Sequence, residues 1–229
     1  MTGERATIWW DFDGTLAYRD GLWSAALIAA LDRVHAEHGL AVDDVALGLS
    51  TGFPWHSPEA LHNELTDAAD WWARLQPVFL AAYESARVDA EIAADAALLV
   101  REIFVDVSGW HLLAGARDAV EATAAEGVRN LIVSNHVPEL PLIVEGLGIS
   151  GCFTAMVNSA VVGAEKPHPL IFEAARRASV PDAPIWMVGD NPKADIEGAA
   201  MVGVPGILVG KNSELTALDA ARRIITELG

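Results

Sequence analysis

One cysteine, Cys152, is all that the 229 residues contain, so a single chain can form neither an internal disulfide nor a cysteine-based zinc site. Positive charge is scarce too: 15 Lys and Arg stand against 32 Asp and Glu, a formal net charge of −17. Such a field repels nucleic-acid backbones and anionic membrane surfaces. An anionic substrate would need local cations to overcome it. No stretch approaches the ~18 apolar residues of a membrane span, and "MTGERATIWW" has no apolar leader segment. The expectation is a soluble cytoplasmic protein, monomer or homodimer, with no nucleic acid and no membrane as partner. Internal repeats and low-complexity tracts are missing as well. What is present, 52% hydrophobic residues, suffices for one large domain or a core with a second, smaller unit.

Four short apolar runs read as buried strands: "ATIWW" up to Trp10, "NLIVSN" from Asn130, "IWMVGD" from Ile185 and "GILVG" from Gly206. "FTAMVN" from Phe153 supplies a fifth. The runs are continuous rather than alternating, as in a parallel sheet covered on both faces. From Gly21 to Asp106 the chain is Ala-rich and strand-poor. Leu61, Leu65, Ala68, Trp72, Leu75, Phe79 and Tyr83 recur at helical spacing and predict one or two amphipathic helices, divided or kinked at Pro77. Another helix is expected from Glu91 to Val105. The reading is an α/β core, residues 1–16 and 107–229, interrupted by an all-helical insert, residues 17–106. The joints fall near Ala17–Asp20 and Val105–Trp110.

Ligands of open parallel sheets bind at the carboxyl ends of the strands. The first strand leaves Asp11 and Asp13 there, the second Ser134 and Asn135, and the third Asp190, with Asp195 five residues on. Lys166 lies in the loop "GAEKPHP" between the last two. Residues i and i+2 of an extended chain point the same way, so Asp11 and Asp13 would face one site. Two or three neighbouring carboxylates repel unless a hard divalent cation such as Mg²⁺ sits among their oxygens. Gly14 permits a tight turn beside them. Ser134 offers a hydroxyl, Asn135 a backbone N–H and Lys166 a cation, all suited to an anionic oxygen. In "GDNPKAD", helix capping accounts for Asn191 and Pro192, and for Asp195 in part, but not for Asp190.

In order and separation, "DFDGTL", "LIVSN", "KPHP" and "GDNPKAD" resemble the four signature motifs of the haloacid dehalogenase-like (HAD) hydrolase superfamily. The helical insert resembles that superfamily's C1-type cap, and the core its Rossmann-like sheet. The resemblance implies a Mg²⁺-dependent phosphohydrolase acting on a small phosphorylated metabolite. Asp11 matches the nucleophile that becomes an aspartyl-phosphate, and Asp13 the general acid/base whose backbone carbonyl also binds metal. Ser134, Asn135 and Lys166 match the phosphate-binding positions, Asp190 the metal ligand, and Thr15 and Asp195 supporting positions. Dehalogenases of the superfamily lack an acid where Asp13 stands, since a halide leaves without a proton. Thr15, where mutase-like members often carry valine, leans toward a phosphatase over a β-phosphoglucomutase-like phosphotransferase. A non-catalytic metabolite-binding relative is the reading from another class. Arg19, Trp55 and His56 are candidates for substrate contact, or pack the cap itself. Trp23, Trp71 and Trp72 read as cap core. His136 stands where close relatives often have glycine.

Overall fold

The computed structural model describes residues 4–65 and 67–229. Among the described residues, seven strands run β1 (Ala6–Trp10), β2 (Ala17–Arg19), β3 (Trp110–Leu112), β4 (Val128–Ser134), β5 (Ala155–Asn158), β6 (Ile185–Gly189) and β7 (Gly206–Leu208). Five of them form one parallel sheet in the order β5-β4-β1-β6-β7, the expected α/β architecture. All five expected runs are strands, although β4 starts two residues before Asn130 and β5 two residues after Phe153.

The helices run α1 (Leu22–Val34), α2 (Val42–Ala46), α3 (Ala68–Ser85), α4 (Ala90–Val105), α5 (Ala116–Ala125), α6 (Leu140–Gly146), α7 (Ser159–Val162), α8 (Pro169–Ala178), α9 (Gly198–Met201) and α10 (Ala217–Leu228). The central strand β1 explains why its sequence is apolar without alternation. Trp10 faces one core and Trp9 the other, and both are fully buried. Each indole still finds an acceptor: Trp9 Nε1 donates to Ser179 Oγ and Trp10 Nε1 to Asn130 Oδ1, both at 2.9 Å.

Between β2 and β3 the chain is helical, with α1 and α3 both packed on α4. Two expectations fail here. Leu61 and Leu65 do not belong to a long helix: Asn63–Leu65 is a single 3₁₀ turn, and α3 begins only at Ala68. Asp67 sets that start, its Oδ1 accepting from Ala69 N at 2.7 Å. Nor does Pro77 divide the run, for α3 continues through it. An interior proline costs roughly 3 kcal/mol, and burial of Trp71, Trp72, Leu75, Val78 and Phe79 on the same helix outweighs that.

The segments expected as joints pair with each other. β2 and β3 form an antiparallel ribbon with Ala17 opposite Leu112 and Arg19 opposite Trp110. The helical segment is fastened to the sheet side by Glu139, just before α6. Its Oε2 accepts from Trp72 Nε1 at 3.0 Å, and its Oε1 lies 2.7 Å from Arg101 Nη2.

Candidate active site

Asp11 continues the ladder one residue past β1, its N–H bonding Val188 O at 2.9 Å. That fixes the buried carboxyl at the sheet edge, where Oδ1 accepts from Ser134 Oγ (2.9 Å) and Lys166 Nζ (2.7 Å). The same ammonium bonds Asp195 Oδ1 at 2.6 Å, and Asp195 Oδ2 takes the N–H of Asn191 at 2.9 Å. Burial works against the Lys166 charge, but Asp11 and Asp195 outweigh it and hold the ammonium above the ordinary lysine range. Burial pushes the Asp195 carboxyl up to about 6; Lys166 pulls it down, and the Asp11 charge adds to the rise. Asn135 makes a reciprocal pair with the Lys166 backbone, accepting its N–H at 2.6 Å and donating to its carbonyl at 3.0 Å. The side chain thus fixes the loop that delivers the lysine, a use the sequence did not announce.

Asp13 leaves a third of its side chain open, and its Oδ1 has no hydrogen-bond partner among the described residues. Its carboxyl is pushed well above the usual carboxylate range, by burial first, then by Asp11 and Asp190. Just beyond it the chain reverses at Gly14, φ +77°, whose N–H bonds Ala17 O at 2.8 Å. A Cβ at position 14 would lie 2.6 Å from Asp190 Oδ2, so both the backbone angle and the close approach require glycine. Thr15 is buried there, its hydroxyl likewise unpartnered among the described residues.

Asp190 lies directly after β6, with Lys211 Nζ 3.3 Å from its Oδ2. Burial and then Asp11 raise its pKa, against Lys211. One carboxylate oxygen each from Asp11, Asp190 and Asp195 lie within 4.8 Å of one another. An all-oxygen set with this much crowded negative charge fits a hard divalent cation. Asp195 already serves Lys166 and Asn191, and the Asp13 carboxylate lies outside the cluster.

These groups floor a cavity of about 720 Å³ whose upper walls include Arg19, Trp23, Trp55, His56 and Phe104. Of the sequence candidates, Arg19, Trp55 and His56 therefore share one cavity with the acidic cluster. Arg19 Nη1 donates to Asp106 O at 3.2 Å, and the guanidinium lies 6.0 Å from the Phe104 ring. Burial lowers the His56 pKa. Trp23 is more than interior packing: it stacks on Phe104 at 3.9 Å and also lines the cavity. Trp71 and Trp72 are buried as expected.

Sequence reasoning missed Lys193 and Lys211. The chain contains three lysines, Lys166, Lys193 and Lys211, and all three line this cavity. Their rarity in so acidic a chain was the available signal. They are the local cations that an anionic ligand would need.

The model of the haloacid dehalogenase-like hydrolase family matches residues 6–203, and the chain belongs to that family. Haloacid dehalogenase-like hydrolase domain-containing protein 3 of Mus musculus is 31% identical over 189 residues, 78% of this chain and 72% of its own. A ribulose-1,5-bisphosphate 5-phosphatase of Halopiger xanaduensis is 32% identical over 119 residues, 51% of this chain and 49% of its own. Among solved structures, the HAD-hydrolase YfnB from Bacillus subtilis, bound to magnesium, superposes with a TM-score of 0.70 at 19% identity, covering 98% of this chain and all of that one. Solved structures on this fold include dehalogenases as well as phosphatases. Among the described residues, no helix is long and apolar enough to cross a membrane.

Proposed function

We propose that this chain is a Mg²⁺-dependent phosphohydrolase that cleaves a small phosphorylated metabolite through an aspartyl-phosphate. The observation that carries the reading is the division of labour between Asp11 and Asp13. Asp11 is tied to Lys166 and Ser134, whereas Asp13 is raised well above the carboxylate range and opens onto the cavity. One is a nucleophile held in place and the other a proton donor.

In the first step an Asp11 carboxylate oxygen bonds to phosphorus while the bond to the leaving oxygen breaks and Asp13 gives that oxygen its proton. In the second, water attacks phosphorus, Asp13 takes the water's proton, and the bond to Asp11 breaks to release inorganic phosphate. Ser134, Asn135 and Lys166 bind the phosphoryl oxygens, with Lys166 placed to offset their charge. Asp11, Asp190 and the Asp13 carbonyl would hold Mg²⁺, with Asp195 supporting Lys166; the ion supplies charge neutralisation of the phosphoryl group. Thr15, buried two residues beyond Asp13, is assigned a supporting role.

Residues 17–106 act as a cap, and a cavity of about 720 Å³ beneath them suits a small organic phosphate. The phosphatase name of the Halopiger relative supports this reading. Asp13 speaks against dehalogenation, in which no proton is needed on the leaving group.

The test is phosphate release across sugar phosphates, nucleotides, phosphoglycolate and phospho-amino acids, with Mg²⁺ and with EDTA. Metal-dependent turnover concentrated on one class is expected. Turnover that survives EDTA, or Asp11→Asn, would overturn the reading. Weak turnover on every ester, rising when a second sugar phosphate is added, would favour phosphotransfer.

A further inference from the structure

His136 directly follows the Ser134–Asn135 pair, yet the steps above leave it unused. It is 2% exposed, and its backbone N–H is anchored to Ser159 Oγ at 3.2 Å. The ring sits in an aromatic cage drawn from three parts of the chain: Phe12 beside Asp13, edge-on at 5.4 Å; Trp110 of β3 at 5.3 Å; and Phe104 of α4 at 6.3 Å. Neither ring nitrogen has a hydrogen-bond partner among the described residues. Burial disfavours the charged form of the ring, and the nearby Val137 backbone, whose carbonyl also accepts from Asn158 Nδ2 at 2.7 Å, favours it.

A buried imidazole without a partner is unfavourable. The group it faces is Asp13, whose Oδ2 lies 3.7 Å from His136 Nε2. That separation exceeds hydrogen-bond range by less than 1 Å. Asp13 Oδ1 is unpartnered too, so two unsatisfied groups confront each other across a small gap. A slight rotation of the Asp13 carboxyl closes it, whereas the caged ring has no comparable freedom.

We propose that His136 is a positioning residue: its Nε2–H holds one oxygen of the Asp13 carboxyl so that the other is presented to the leaving oxygen. This rests on the phosphohydrolase reading, because it acts through the proton donor. Since Phe104 and Trp110 belong to the helical segment and its ribbon, the arrangement also ties the aim of Asp13 to how that segment sits on the sheet.

The experiment compares His136→Phe and His136→Met, which remove the N–H, with His136→Gln, which returns one near the Nε2 position. With Mg²⁺, the first step, formation of the phosphorylated protein, is timed by rapid quench for each on p-nitrophenyl phosphate, whose leaving group departs without a proton, and on an alkyl phosphomonoester, whose leaving group needs one; the second step uses Asp13 as base for either ester and is left out of the comparison. Thermal melts are recorded alongside. For the apolar variants, the first-step rate on the alkyl ester should fall by roughly 10- to 100-fold, with KM within about twofold and the first-step rate on p-nitrophenyl phosphate within about threefold of the unsubstituted protein. His136→Gln should recover most of the alkyl-ester rate. Equal losses on both esters, or a glutamine variant no better than phenylalanine, would overturn the proposal and leave the phosphohydrolase reading standing. Should neither apolar variant fold, the glutamine variant decides: retention of alkyl-ester turnover supports the role, and its selective loss overturns it. No turnover of either ester by the unsubstituted protein would overturn that reading and the proposal with it.

Discussion

The floor and the upper wall of one cavity are built by opposite means. The floor is ionic, buried and paired: Asp11, Lys166 and Asp195 make a chain of contacts at 2.6 and 2.7 Å, each delivered by a strand end or a short loop beside one. The upper wall is aromatic, with half-buried Trp23 and Trp55 and buried Phe104 from separate pieces of the helical segment. A parallel sheet imposes one geometry on every strand end, so the floor tolerates little substitution. Rings packed side by side can exchange partners at smaller cost. The floor should therefore govern kcat, and the wall KM.

The sharpest test of that contrast is Asp11→Asn. We expect kcat to drop at least ~10³-fold, and acid-quenched intact mass spectrometry to lose any phosphorylated species seen with the unsubstituted protein. Next comes Lys166→Met, with ~10²-fold lower kcat. Because it strands Asp11 and Asp195 in the interior, it should also cost about 3–5 kcal/mol of stability in urea titration. A melt unchanged from the unsubstituted protein would contradict the paired floor.

Glu165, buried beside Lys166, is pushed up to about 7 by burial, against Ser159 and Lys166. Its folded-state value lies above its unfolded one, so the folded protein binds the extra proton. That contribution is present below the unfolded value and is lost as pH rises through about 7. Glu165→Gln should flatten the pH dependence of stability between pH ~4.5 and ~7, a span of roughly 3 kcal/mol, and stabilise the protein above it. Identical pH profiles for the two proteins would contradict this. The smallest effect belongs to the wall: Trp55→Ala should raise KM by ~10-fold, about 1.4 kcal/mol, and leave kcat within twofold. A larger loss in kcat than in KM would dissolve the distinction between floor and wall.

The same contrast governs what the sequence made legible. "ATIWW" and "IWMVGD" could be read because a strand buried on both faces is apolar throughout, and the residue at which that pattern stops is where chemistry begins. Asp11, Asp13, Ser134 and Asp190 follow from that alone. The upper wall had no such marker. Leu61 and Leu65 keep helical spacing with the residues after them, yet Asp67 caps α3 and the chain before it turns differently. The pairing of β2 with β3 was also hidden, since three-residue strands are too short for any period to show. His136 looked like a mere departure from glycine. Its meaning depends on Phe12, Phe104 and Trp110 meeting around it, and nothing local in the sequence announces that.

The three lysines give the molecule an unusual chemical address. Reagents that attack side-chain amines normally scatter over a protein's surface, but here every lysine ε-amine opens on a single hollow. Lys193 and Lys211 are open to such a reagent, Lys211 with 78% of its side chain exposed, while Lys166 is sheltered. Side-chain labelling by amine-directed dyes, cross-linkers and immobilising resins is thus confined to three positions around one hollow, and whatever fills the hollow will shield it from them. Acetyl transfer to lysine, wherever this chain encounters it, has nowhere else to land.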